Sequence, residues 1–88
     1  MRRQYALTDD AMRELAKLSP EIRERVEKKL RYFFAAEDPM QFAKPLTNMR
    51  PATHRFRVWK LRVKFFRQGG IFYITHIDIR DKVYRRKT

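Results

Sequence analysis

The sequence predicts an α+β domain, with an N-terminal strand and a two-helix hairpin packed on one face of a small antiparallel sheet. Three observations carry this prediction. Ile22, Val26, Leu30 and Phe33 recur at helical spacing after a Ser19-Pro20 joint. Residues 54–59, 61–67 and 71–79 read as strands, and Gly69-Gly70 separates the last two. The order strand, helix, helix, strand, strand, strand gives the helices one sheet face to cover and leaves the other open.

Each element has a local reason. The opening "RRQYAL" suits a short strand with Tyr5 and Leu7 on one side. Thr8 is placed as an N-cap, with Asp9 and Asp10 near the positive end of the helix that follows. Ala11, Leu15 and Leu18 carry that first helix to about Leu18. Ser19 then caps a second helix, Pro20 takes its first position, and Glu21 favours the dipole. Its far face is charged, and Asp38-Pro39 ends it. Residues 39–53 hold three prolines and show no period, so they read as a loop anchored by Phe42 and Leu46. Both glycines of Gly69-Gly70 can take positive φ, a strong hairpin signal. The joint at Trp59-Lys60 has no glycine and is a less comfortable turn.

Composition bounds the function. The 88 residues make a single domain, 1–88, whose twelve aromatics supply the bulk for one core. The absence of cysteine excludes disulfides, thiolate zinc sites and thiol nucleophiles, and fits a reducing cytoplasm. No apolar run approaches the roughly 18 residues of a membrane span. The first residues lack the apolar stretch of a secretory signal. The net charge of +12 points to a polyanionic partner. The charge is also unevenly placed: eight of the ten acids precede Pro39, while eight Lys or Arg and no acid lie between Asp38 and Asp78.

Strand parity sorts that excess. Phe56, Val58, Leu61, Val63, Phe65, Ile77 and Ile79 are expected to face the helices. Residues 71–74 are apolar on both sides, so parity decides nothing there. The opposite face collects Arg55, Arg57, Arg62, Lys64, His76 and Arg80, with Trp59 nearby and Asp78 as its one acid. A solvated sheet face normally mixes signs, because like charges opposite one another repel. Guanidinium forks match phosphate oxygens, and an exposed Trp can stack on a base, so this face reads as a site for nucleic acid.

The layout "YALTDDAMRELAKLSPEIRERVEKKL", "AKPL", "HRFRVWKLRVKFF" and "IDIRDKVYRR" resembles the RelE/ParE toxin superfamily of bacterial and archaeal toxin–antitoxin systems over nearly the whole chain. The resemblance implies a microbial RNase-like fold. It implies the toxin of a type II system, an endoribonuclease that cuts mRNA in the ribosomal A site. The RNA's own 2′-hydroxyl attacks the adjacent phosphate, with no metal and no small-molecule cofactor. Its partners would be an acidic antitoxin, the ribosome and mRNA, in the cytoplasm and away from membranes. The family's basic positions on the first core strand fall on Arg55 and Arg57, and with Trp59 and Lys60 these would hold RNA. Its phosphate-holding arginine falls on Arg62, and its C-terminal arginine and tyrosine on Arg80 and Tyr84.

The sequence departs from the family where lysines often stand at the positions of Arg55 and Arg57. A lysine among cations can give up its proton, whereas arginine practically cannot. Lys64 and His76 therefore both stand as candidate bases. Tyr84 is expected either to stack on a base or help protonate the leaving 5′-oxygen, or to close the core as a C-terminal aromatic. His54, where the family often has an aromatic, reads as structural. Two other readings use the same charge: a ParE-like gyrase inhibitor, which works by binding, and an RNA- or ribosome-binding protein without catalysis.

Overall fold

The computed structural model describes residues 4–47 and 50–79. Strand β1 (Gln4–Leu7) leads into helices α1 (Asp9–Ala16) and α2 (Pro20–Ala35). A 3₁₀ turn (Pro39–Phe42) and a two-residue strand β2 (Lys44–Pro45) precede β3 (His54–Val58), β4 (Leu61–Gln68) and β5 (Ile71–Ile79). The five strands form one sheet in the order β1-β5-β4-β3-β2.

The expected caps form. Thr8 Oγ1 accepts from the Ala11 amide at 3.2 Å, and Ser19 Oγ accepts from the Ile22 amide at 3.4 Å. α1 stops at Ala16 rather than Leu18. Its last turn tightens, with the Leu18 amide donating to the Leu15 carbonyl at 3.1 Å, and an Arg23 guanidinium N–H donates to the Leu18 carbonyl across the joint. The 39–53 segment is more ordered than a plain loop. Asp38 Oδ1 accepts from the Met40 amide and starts the 3₁₀ turn, and β2 then pairs with β3.

The expectation of a wholly antiparallel sheet is corrected. β2, β3, β4 and β5 are antiparallel neighbours, but β1 lies parallel to β5, so the sheet is mixed. Only strands joined by tight turns are forced to run antiparallel. The two helices and three strands between β1 and β5 place no such constraint on their relative direction.

The core lies between the helices and the sheet. Val26, Leu30, Phe33 and Phe34 of α2 meet Phe56, Val58, Leu61, Val63, Phe65, Phe72, Ile74 and Ile77. Phe33 stacks on Phe56 at 4.5 Å, and Phe56 on Phe65 at 4.6 Å, a ladder of rings crossing β3 and β4. Burial of each such ring stabilises by about 1.5–3 kcal/mol.

One irregularity decides which side chains face out. Lys64 pairs with His76, but Phe65 pairs with Ile74, leaving Thr75 as an extra residue on β5. Thr75 Oγ1 donates to the Lys64 carbonyl at 3.3 Å, and Thr8 Oγ1 donates to the Thr75 carbonyl at 3.1 Å. The bulge shifts the phase of β5, so Phe72 and Ile74 point to the core and so does Ile77. His76 and Asp78 are thereby aimed outward.

Candidate nucleic-acid interface and active site

β4 is the axis of the open face. Arg62 and Lys64 each stand between two cross-strand neighbours. On the β3 side Arg62 is opposite Arg57 and Lys64 is opposite Arg55. On the β5 side Arg62 is opposite Asp78 and Lys64 is opposite His76. Five cationic or titratable groups placed by sequence parity, Arg55, Arg57, Arg62, Lys64 and His76, thus share one face of β3, β4 and β5, with Asp78 among them. Directly opposite residues approach within about 4.5–5.5 Å at Cβ, so Arg57 and Arg62 are like charges on neighbouring positions.

The cations differ in what they do. Arg57 is exposed, while Arg55 and Arg62 are half-buried. Lys64 lies on the predicted face but is buried rather than solvated, with 9% of the residue exposed. Its Nζ sits 3.0 Å from Asp78 Oδ2. The expectation of Lys64 as an outward base is altered by this pairing, because its ammonium is engaged by a carboxylate. Beside the pair, Arg62 Nε and Asp78 Oδ1 are buried without a hydrogen-bond partner among the described residues. Such atoms ordinarily take a water, an ion or a ligand as partner, and Arg23 Nε of α2 is in the same state.

His76 is held differently. Its Nδ1 lies 3.3 Å from Glu14 Oε2, and the other oxygen of Glu14 accepts from the Ile77 amide at 2.7 Å. β1 pairs β5 only from Ile71 to Ile74, so beyond that point the β5 edge is open and α1 supplies the acceptor. Sequence reading missed Glu14. It lies 62 residues from His76 on an ordinary amphipathic helix, and no spacing rule connects the two.

Trp59 and Lys60 form the tip of the β3–β4 hairpin. Parity grouped Trp59 with Arg55 and Arg57, but β3 ends at Val58 and Trp59 turns at φ 58°, so alternation no longer applies. The indole is 48% exposed, with the Arg25 guanidinium of α2 at 5.6 Å and Lys60 Nζ at 5.5 Å from its ring. It therefore sits on the rim between the helix layer and the cationic face. His54 is half-buried, with Nδ1 2.9 Å from Thr53 Oγ1 and its ring 6.0 Å from Phe65. Arg80 and Tyr84 lie outside the described residues.

The face continues past β3. β2 covers that strand only at His54 and Arg55. A pocket of about 250 Å³ lies at this edge, lined by Phe42, Lys44, Arg55 and Arg57. Lys44 extends the run of cations, and the sequence offered only the weak "AKPL" segment to mark it.

No protein-family model matches the sequence, and no curated protein sequence matches it. Solved structures do match. The chain superposes on a chain of the RelBE2 toxin–antitoxin complex of Mycobacterium tuberculosis with a TM-score of 0.73 and 22% identity, covering 91% of this chain and 100% of the other. It also superposes on a chain of the RelB-RelE antitoxin–toxin complex of Methanococcus jannaschii, with a TM-score of 0.61 and 13% identity. That match covers 93% of this chain and 98% of the other. With two helices on a five-stranded mixed sheet and these structural neighbours, the chain has the RelE-like α+β fold.

Proposed function

We propose that this protein is the toxin of a type II toxin–antitoxin pair and a ribosome-dependent endoribonuclease that cuts mRNA without a metal. The observation that carries the reading is the register of the open face, where Arg57 stands directly opposite Arg62. Like charges directly opposite one another on a sheet cost stability, and an anion bound between them offsets that cost. The structural neighbours come from toxin–antitoxin complexes, which supports an antitoxin as a partner, and an acidic one would offset the charge of +12. The mRNA backbone in the ribosomal A site is the other proposed partner. Among the described residues no helix is long and apolar enough to cross a membrane, and the cytoplasm is the proposed location.

In the proposed reaction the RNA 2′-oxygen forms a bond to phosphorus and the bond from phosphorus to the 5′-oxygen breaks. The products are a 2′,3′-cyclic phosphate and a free 5′-hydroxyl. Arg62 stabilises the charge that grows on the phosphoryl oxygens, with Arg80 in the same role by family resemblance. Arg55, Arg57, Trp59 and Lys60 hold the strand. The 2′-hydroxyl proton passes to a base, and the 5′-oxygen takes a proton from an acid, a role open to Tyr84. His76 is preferred to Lys64 as the base. Lys64 has its ammonium on Asp78, whereas the bond to Glu14 uses only one of the two ring nitrogens of His76.

Primer extension on mRNA after brief induction tests this reading. Expected are cuts confined to translated regions and in frame with codons, persisting in vitro when EDTA is titrated to a level that keeps ribosomes assembled. Intact mRNA with loss of DNA supercoiling would replace the reading with gyrase inhibition. Ribosome or RNA binding with neither effect would leave a binding protein.

A further inference from the structure

We propose that Glu14 is the positioning residue for His76, fixing its Nδ1–H tautomer so that Nε2 is left as the proton acceptor on the cationic face. The role rests on the nuclease reading above. The geometry stands apart from it.

Glu14 makes two contacts to consecutive residues of β5. Oε1 accepts from the Ile77 amide at 2.7 Å, and Oε2 lies 3.3 Å from His76 Nδ1. The first contact pins the carboxylate, because the amide cannot rotate away from a strand that is bulged and anchored at Thr75. The second then has a fixed acceptor aimed at one ring nitrogen. A carboxylate oxygen accepts and does not donate, so a neutral imidazole bonded there carries its proton on Nδ1. Nε2 then holds the lone pair. His76 lies directly opposite Lys64 and two residues from Asp78, so it shares the face on which Arg62 is displayed.

The carboxylate does a second thing. When Nε2 takes a proton the imidazole becomes a cation, on a face that already carries Arg55, Arg57, Arg62 and Lys64. Glu14 sets one negative charge against the opposite side of that ring. Edge capping alone would need only a neutral acceptor for the Ile77 amide. The contact from the second oxygen to His76 is what an edge cap does not require.

Glu14→Gln separates the two roles. Its amide oxygen can still accept from Ile77, while its NH₂ group replaces the oxygen facing His76 and donates where the carboxylate accepted. The protein has two histidines, so imidazole ¹⁵N spectra resolve both, with His54 as internal reference. Expected for the wild type is the Nδ1–H form at His76. In Glu14→Gln the proton moves to Nε2, the His54 signals stay unchanged, and the Ile77 amide keeps its protection from hydrogen exchange. Single-turnover cleavage on programmed ribosomes should fall by roughly 10²-fold with unchanged half-saturation, at the lower end of what positioned proton transfer supplies. In a His76→Gln background Glu14→Gln should have no further effect on the rate.

An Nε2–H tautomer in the wild type overturns the proposal. So does a Glu14→Gln variant that cuts at the wild-type rate, or one that slows His76→Gln further. A wild type that holds the Nδ1–H form but cuts no RNA overturns the nuclease reading, and the proposed role with it, while the tautomer result still reports the contact.

Discussion

The two sides of β4 share one strand and obey opposite rules. Toward β3, its outward residues meet like charge, Arg62 against Arg57 and Lys64 against Arg55, and the chain reverses through Trp59 at positive φ. Toward β5, the same residues meet Asp78 and His76, and farther along Phe66 stacks on Tyr73 at 5.2 Å. That hairpin closes through Gly69 and Gly70, at φ 60° and 82°, the residues such a turn favours. The β5 side holds an ion pair, an aromatic pair and a relaxed turn. The β3 side sets Arg57 directly opposite Arg62 and turns through a bulky residue at positive φ. Local conflicts of this kind concentrate where a protein must bind something else. Under the proposed function, the contrast makes the β3 side the one expected to hold RNA, with the β5 side supplying His76 and most of the structural contacts.

The largest expected effect comes from removing the residue at the centre of the contrast. Arg62→Ala should slow cleavage by about 10²- to 10³-fold, the usual loss when one fixed donor to a developing oxyanion is removed. Its unfolding free energy should stay within about 0.5 kcal/mol of wild type, since the change also removes a like charge from the position opposite Arg57. Val63→Asp, one residue away on the fully buried face, is the control and should unfold the domain. Single-turnover rates and urea titrations on the same preparations check both. An Arg62→Ala protein that unfolds like Val63→Asp would assign Arg62 to the structural side and erase the distinction.

The core-facing residues were legible because alternation is a local rule and β3 and β4 obey it. Phe56, Val58, Leu61, Val63 and Phe65 are all buried as parity requires. The same rule placed Arg55, Arg57, Arg62 and Lys64 on the open face. It is silent where geometry stops being local. The Thr75 bulge shifts the phase of β5, and a run that is apolar on both sides carries no mark of where a shift falls. Trp59 left its expected face because alternation ends at a turn. The parallel placing of β1 beside β5, the Lys64–Asp78 pair and the Glu14–His76 contact all join distant parts of the chain or depend on burial. Neither is visible in a one-dimensional pattern.

A smaller effect separates the two hairpins by stability alone. Asp78→Asn leaves the Lys64 ammonium, whose side chain is 11% exposed, without its carboxylate. This should cost about 3 kcal/mol, the lower end for breaking a buried ion pair from one side. Lys64→Met combined with Asp78→Asn should recover more than half of that loss, because no unpaired charge remains. Arg57→Gln, the corresponding change on the β3 side, should be neutral or slightly stabilising. Urea midpoints for these variants test the assignment. A double variant no more stable than Asp78→Asn would show that the cost lies in packing rather than in the stranded charge.

The smallest effect concerns the two turns. Both connect strands through two residues, with Val58 opposite Leu61 and Gln68 opposite Ile71. A Cβ added at Gly69 meets no atom within 4 Å, so Gly69→Ala tests backbone conformation and not crowding. At φ 60° it should cost about 1 kcal/mol. Trp59→Gly is the reverse exchange. It relieves strain worth about 1–3 kcal/mol for a bulky residue at φ 58°. It also loses the contacts with Arg25 and Lys60, about 0.5–1 kcal/mol each at an exposed ring, and gives the unfolded chain more freedom. These terms nearly cancel, so deleting the protein's one tryptophan should change stability by less than about 1 kcal/mol. Single-stranded RNA affinity should respond more, because stacking of a base on an aromatic is worth roughly 1–3 kcal/mol. Urea titration and RNA binding by fluorescence anisotropy read the two quantities separately. If Trp59→Gly lowers stability by 2 kcal/mol or more and leaves RNA affinity unchanged, the indole belongs to the packing of the rim, and the strained turn serves the fold.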